Sequence, residues 1–167
     1  MPSTLENAAS KTMGAMKDVK GTLKGLNGVF RHLMEEHGKV GVLLTRVKSS
    51  TDEDVRSKLW PTIRHELLAH ERGEAAVVYP ALAEYPETAQ IAAAHTREAG
   101  ELETAVRAVH ELAFNSPSWK PAFDRLVELV EQHVSQEESD YFPKGQKVVG
   151  SERSKSLLTE FEIAKGG

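Results

Sequence analysis

Cysteine is absent from the 167 residues, which excludes disulfides, thiolate nucleophiles, Cys-ligated zinc and Cys-ligated iron–sulfur clusters together. Any metal chemistry must therefore use His, Asp and Glu. Long hydrophobic runs are also lacking: nowhere do as many as about 18 apolar residues follow one another, so no membrane span is expected. The stretch MPSTLENAASKTMGAMKDVK at the N-terminus has neither the basic start nor the apolar run of a secretory signal. The expected compartment is the cytoplasm. No basic cluster is present, and 21 Lys and Arg against 25 Asp and Glu leave a net charge of −4. Neither nucleic acid nor an anionic membrane surface is then an expected partner. What remains is a chain of ordinary composition, 40% hydrophobic, long enough for one domain with a real core.

Turn residues divide the sequence into long segments whose apolar positions recur at three and four, the helical period. The first stripe runs Met16, Val19, Leu23, Leu26, Phe30, Leu33, His37, Val40, Leu44, Val47. Gly14, Gly21, Gly25 and Gly28 weaken its first half, so the robust helix is expected over 26–48, preceded by an arm. After the cap signal Ser49-Ser50-Thr51-Asp52, a second segment aligns Leu59, Ile63, Leu67, His70, Glu74 and Val77, with Pro61 as a second candidate start and a stop near Tyr79-Pro80 or shortly beyond. A third aligns Ile91, His95, Leu102, Val106 and Val109. A fourth opens near Trp119-Lys120-Pro121, aligns Leu126, Val130, His133, Glu137 and Tyr141, and is expected to break at Pro143-Lys144-Gly145. The tail from Ser151 to Lys165 reads as one more short helix. Short connections make neighbouring helices antiparallel. The expected fold is all-α, an up-down four-helix bundle over 26–145, with an N-terminal arm over 1–25 and a C-terminal tail with a short helix over 146–167.

Each of the four stripes is interrupted by a histidine on its apolar side, at His37, His70, His95 and His133. Two add a glutamate one turn later, His70 with Glu74 and His133 with Glu137, a spacing that puts both side chains on one helix face. Left unpaired in a core, each such group would cost several kcal/mol of desolvation. A bound metal centre compensates all six at once. The two glutamate-bearing segments also repeat each other, since His70, Glu74, Tyr79 and Pro80 share offsets with His133, Glu137, Phe142 and Pro143. Two helical hairpins are implied, one supplying His37 with His70 and Glu74, the other His95 with His133 and Glu137. Imidazole and carboxylate together suit iron, manganese or zinc, and two carboxylates able to bridge suit a pair of metals about 3.5–4 Å apart. Two irons are the favoured occupants.

The pattern of His37 in Leu-Met-Glu-Glu-His-Gly-Lys-Val, His70-x3-Glu74 with Tyr79-Pro80-Ala81-Leu82, His95, and His133-x3-Glu137 with Phe142-Pro143 resembles the hemerythrin-like HHE cation-binding domain. The resemblance covers about residues 28 to 145. It implies an antiparallel four-helix bundle holding a non-haem, oxo- or hydroxo-bridged di-iron centre, with zinc or manganese as alternatives. His37, His70, His95 and His133 would be terminal ligands and Glu74 and Glu137 bridges. Oxygen-carrying hemerythrins carry another histidine one turn after the third-helix ligand, where this sequence has Ala99. Glu71 and Glu98 are candidates to fill that gap. Four histidines with two glutamates look more like the ligand set of the iron–sulfur cluster repair proteins, whose Cys-bearing N-terminal domain has no counterpart in this cysteine-free chain. A ligand fewer leaves one metal coordinatively open, which favours reaction with O2, peroxide or nitric oxide over reversible carriage. The function so implied is binding, sensing or reaction of such a small molecule. The alternative is an iron-binding or iron-sensing module, or an iron donor for cluster repair.

Other histidines fall outside this pattern. His32 and His65 lie five residues before His37 and His70, rotated by about 140° to the solvent side. His110 stands about 22 Å along its helix from His95, too far to share a site. Tyr79, Tyr141, Phe142, Trp60 and Trp119 read as packing anchors.

Overall fold

A computed structural model describes residues 25–166, and the expected arm over residues 1–25 lies, but for Gly25, outside the described part. Asp52 ends the first connection by accepting a hydrogen bond from the Asp54 amide at 2.9 Å, the N-cap arrangement that the cap signal predicts. The helices it separates are α1, Gly28–Lys48, and α2, Glu53–Gly73. A π-helical turn over Glu74–Val78 leads into α3, Tyr79–Ala83. Then follow α4, Ala89–His110, and α5, Trp119–Gln136. A second π turn, Glu137–Tyr141, leads into α6, Phe142–Gly166. No strand occurs among the described residues, and none of their helices is long and apolar enough to cross a membrane.

The buried apolar residues form two clusters rather than one. The first gathers Leu43, Leu44, Val47, Leu59, Trp60, Ile63, Val106, Trp119 and Phe123 with their neighbours. The second gathers Val29, Phe30, Leu33, Met34, Val78, Tyr79, Leu82, Phe142, Leu157 and Phe161. Along α1 the second cluster comes first, then His37, then the first cluster. Along α2 the order reverses, Ile63 before His70 and Val78 after it, and the order alternates again through α4 and α5. That alternation is the up-down antiparallel bundle, and His37, His70, Glu74, His95, His133 and Glu137 make a buried polar layer between its two apolar ends.

Two boundaries differ from those expected. Pro61 lies inside α2 instead of opening its main body, because the Asp52 cap starts the helix at Glu53 and burial of Leu59 and Trp60 holds the turn across the proline. Pro143 does not break the fourth run, whereas the run holding Pro80 stops shortly beyond it, at Ala83. Each proline is the second residue of a new helical segment, where the missing N–H is no loss. The preceding residue instead donates its N–H five residues back, Tyr79 to the Glu74 carbonyl and Phe142 to the Glu137 carbonyl. The helical run holding Pro143 ends at Gly150, whose φ of 78° only glycine adopts without strain, and a second helical stretch over the tail follows it to Gly166. That stretch packs on α1 and α2. Phe161 is fully buried against Gly73, where a Cβ would overlap its ring.

Candidate metal centre

Four helices deliver one histidine each to the polar layer, and the four rings point their Nε2 atoms inward. His37, His70, His95 and His133 are all buried, and each of these Nε2 atoms lacks a hydrogen-bond partner. Both carboxylate oxygens of Glu74, Oε1 of Glu137 and Oε2 of Glu71 share that condition. So many orphaned donors and acceptors facing one another in a core would be strongly destabilising by themselves.

Their arrangement is metal-like. Ligand atoms of His37, His70 and Glu137 lie within 4.8 Å of one another, as do those of Glu71, Glu74, His95 and His133. The histidines pair as expected, hairpin by hairpin, but the glutamates do not stay with their own hairpins. Glu74 directs Oε1 to His70 Nε2 at 2.5 Å and Oε2 to His95 Nε2 at 3.7 Å. Glu137 Oε1 lies 3.2 Å from both His37 Nε2 and His133 Nε2. Each carboxylate therefore spans both histidine pairs. Glu71 faces the second pair alone, Oε1 3.2 Å from His133 and Oε2 3.3 Å from His95.

Glu98 is placed differently from the expectation that made it a candidate ligand. Its Oε2 contacts Nδ1 of His133, behind the ring at 3.3 Å, and its Oε1 accepts from the Tyr141 hydroxyl at 2.9 Å. One turn of α4 beyond His95, it meets α5 at the outer edge of the layer, so it orients a ring instead of joining the inward atoms. Glu138 does the same for His37 Nδ1 at 2.8 Å, and Glu36 for His70 Nδ1 at 2.9 Å. Carboxylates on the outer ring nitrogen fix the tautomer and aim Nε2 at a metal. Glu36 and Glu138 carry little sequence signal, since each is simply the chain neighbour of a stripe residue. Tyr79 is more than a packing anchor: its hydroxyl donates to Glu137 Oε2, and its ring stacks on His95 at 3.6 Å. Five residues after Glu74 in an α-helix it would face about 140° away; the π turn brings it back. His65 is exposed as expected, while half-buried His32 contacts Glu36 and Glu162 at 3.2 and 2.7 Å. His110 accepts a hydrogen bond from Trp60 in the other end of the bundle.

The family model for the hemerythrin HHE cation binding domain matches residues 28–145. This chain belongs to the hemerythrin HHE family. Its similar proteins include a DNA nickase of Nostoc sp. (strain PCC 7120), 27% identical over 130 residues, which are 78% of this chain and 37% of that protein. Another is a hemerythrin-like protein of Schizosaccharomyces pombe, 26% identical over 135 residues, 80% of this chain and 66% of that one. The chain thus spans less than two thirds of either relative. No solved structure matches it. The HHE assignment and the inward His and Glu atoms agree on a cation-binding protein, and the donor set of imidazoles and carboxylates fits iron.

Electrostatics of the metal-free layer add a prediction. Burial lowers the proton affinity of the His133 imidazole, but the Glu137 charge and contacts with Glu71 and Glu98 overcome this and push it up to about 12. His70 is likewise raised, burial being outweighed by Glu36. Burial and the Glu137 charge hold the Glu74 carboxyl well above the usual range. Burial also opposes ionisation of Glu71, yet His133 and His95 bring it down to about 2. The raised His133 stabilises the metal-free fold fully below its unfolded value of 6.5, and this is lost as pH rises through about 12. Glu71 acts oppositely: its contribution is present above 4.5 and lost as pH falls through about 2. At pH 7 His133 therefore holds a proton that ligation must expel, and burial with the surrounding carboxylates shifts His70 and Glu74 in the same direction. Filling the site is expected to release at least one proton per chain, measurable with an indicator dye in dilute buffer. Binding without proton release would show that these groups are not the ligands.

Proposed function

We propose that this chain holds two iron ions and that its reduced centre reacts with O2, hydrogen peroxide or nitric oxide in the cytoplasm. The observation that carries the reading is the pair of carboxylates, Glu74 and Glu137, each lying between both histidine pairs. His37, His70, His95 and His133 would be terminal ligands, Glu74 and Glu137 bridges, and Glu71 a further ligand beside His95 and His133. Bound iron would supply one-electron redox chemistry and an open position for a small ligand.

The other parts of the layer are supplied by this chain's own residues. Glu36, Glu98 and Glu138 hold three imidazoles with Nε2 inward. Tyr79 fixes one oxygen of Glu137. Counting Glu71, the His95–His133 group has four residues and the His37–His70 group three, so the open position is assigned to the latter. A cavity of about 30 Å³ adjoins it, lined by Val40, Leu67, Leu102, Val130 and Val134 and by Glu36, His37, Glu66, His70, Glu71 and His133. That volume suits one molecule of water or diatomic size. Ala99 lines a separate, larger groove with Glu71 at its floor; the carboxylate stands in for the histidine that oxygen carriers place one turn after their third-helix ligand. The nickase activity named for the Nostoc relative is not carried over, since this chain covers only 37% of that protein. Rapid mixing of the anaerobic, Fe(II)-loaded protein with O2, hydrogen peroxide and nitric oxide in turn tests the reading. An absorbance change with at least one is expected, and unchanged spectra with all three would overturn it.

A second reading, iron sensing, is favoured by one contact chain. Lys165 near the end of α6 pairs with Glu36, and Glu36 holds His70. Iron at His70 would then be felt by α6. Hydrogen exchange of α6 with and without iron decides this, and equal protection in both forms would exclude it.

A further inference from the structure

Tyr79 and Phe142 occupy equivalent places, each five residues after a layer glutamate and directly before a proline. Each ring lies over a histidine, Phe142 over His37 with centroids 5.6 Å apart and 19° between planes, Tyr79 over His95 at 3.6 Å and 7°. Phe142 shows that packing alone needs no hydroxyl there. Tyr79 nevertheless carries one, fully desolvated, and donates it to Glu137 Oε2. A second phenol adjoins the first: the Tyr141 ring meets Tyr79 edge-on, centroids 6.2 Å apart at 80°. Its hydroxyl donates to Glu98 Oε1, and the Glu98 side chain is 18% exposed. The two buried phenols therefore form an unbroken line from His95 and Glu137 to the partly exposed Glu98, each with its O–H aimed at a carboxylate. Tyr85, the third tyrosine, stands elsewhere, beside Lys144 and Lys147.

We propose that Tyr79 and Tyr141 form a reductant relay, supplying two electrons and two protons for reduction of hydrogen peroxide at the metal layer. This rests on the peroxide-reactive reading above. The balance is H2O2 + 2 Tyr–OH → 2 H2O + 2 Tyr–O•. The peroxide O–O bond breaks, and each phenol loses one electron toward the layer. Its proton leaves through the carboxylate it is bonded to, Glu137 for Tyr79 and Glu98 for Tyr141, and two protons end on the peroxide oxygens as water. Tyr79 gives one electron, is refilled by Tyr141 and gives the second, so both phenols end as radicals. A soluble one-electron donor such as ascorbate, meeting the line at Glu98, refills Tyr141 and through it Tyr79.

The test uses the full chain loaded with iron. A first equivalent of hydrogen peroxide oxidises the Fe(II) form, followed by absorbance. A second equivalent is then added with a nitroso spin trap, and samples are read by freeze-quench electron paramagnetic resonance and peptide mass spectrometry. Expected is a radical signal that narrows when the protein contains ring-deuterated tyrosine, with trap on Tyr141 and Tyr79 and none on Tyr85. Tyr79→Phe should cut the Tyr141 adduct at least tenfold, while Tyr141→Phe should leave an adduct at Tyr79. Iron oxidised without a tyrosyl signal, trap on all three tyrosines alike, or an undiminished Tyr141 adduct in Tyr79→Phe would each overturn the relay alone. An iron spectrum unmoved by the first equivalent would overturn the peroxide reading and the relay with it. The isotope and trapping arms use the wild-type chain, so they decide the matter even if a variant fails to fold.

Discussion

Anaerobic loading of the metal-free protein with Fe(II) is expected to raise its Tm by roughly 20 °C. The size follows from what the layer contains. Glu71, Glu74 and Glu137 converge in a core with four imidazoles whose inward nitrogens have no partner. Without metal the two carboxylates are driven apart: burial and the Glu137 charge raise Glu74 well above its ordinary range, while burial pushes Glu137 up but His133 brings it well below. Metal binds only the folded arrangement, so each ion held at 1,000 times its Kd adds about 4 kcal/mol, and two add about 8. In a domain of this size, roughly 2–4 °C accompanies each kcal/mol. Scanning calorimetry with and without iron reads the shift directly. Equal melting temperatures would mean that the layer is satisfied without a metal.

Phe161→Ala is expected to be the most damaging single truncation outside the layer. The ring is fully buried, sits where Gly73 offers no Cβ, and meets the His32 and His70 rings edge-on at 5.8 and 6.3 Å. Removing a buried phenylalanine costs about 3–5 kcal/mol. Here the loss also loosens the part of α6 that carries Lys165, whose ammonium holds Glu36 against His70. Burial alone would raise the Glu36 carboxyl, but hydrogen bonds from His32, His70 and Lys165 hold it well below the ordinary carboxylate range. Iron affinity should accordingly fall by about tenfold or more, the effect usual for loss of an outer partner. Ile163→Ala, at a side chain 72% exposed on the same helix, is the control and should change stability by no more than about 0.5 kcal/mol. Thermal melts and iron titrations of the two variants side by side check this. Matching behaviour would mean that α6 is a passive appendage.

The contrast between those two residues shows where the sequence was informative. The helices announced themselves through long three-and-four stripes, and the layer through histidines that broke the stripes, because a buried polar residue at helical spacing is costly unless something compensates it. The positions of His37, His70, Glu74, His95, His133 and Glu137 in one layer followed from that cost alone. The reach of Glu74 and Glu137 across both hairpins did not follow from that cost but is what the family resemblance implied, because a one-dimensional repeat shows which helix carries a residue and not toward which neighbour it leans. Tyr79 was misjudged because the α-helical period points it away, and only the π turn after Glu74, itself accommodated by Pro80, rotates it onto His95. The repeated offset from Glu to aromatic to proline was visible and marked the place without revealing its geometry. Glu36 and Glu138 left little trace, since an outer partner needs only reach. The seating of α6 depends on Gly73, a residue that reads from sequence as a weak helix position and from structure as room for Phe161.

The most direct measurement is the iron-to-protein ratio after anaerobic Fe(II) loading and desalting, taken on the wild-type chain and on a His70→Ala/His133→Ala double variant. One histidine is removed from each pair, and the two carboxylates are left in place. A ratio near two that collapses in the variant is the predicted result. A ratio near zero for both, or one unaffected by the substitutions, would contradict a di-iron centre built on this layer.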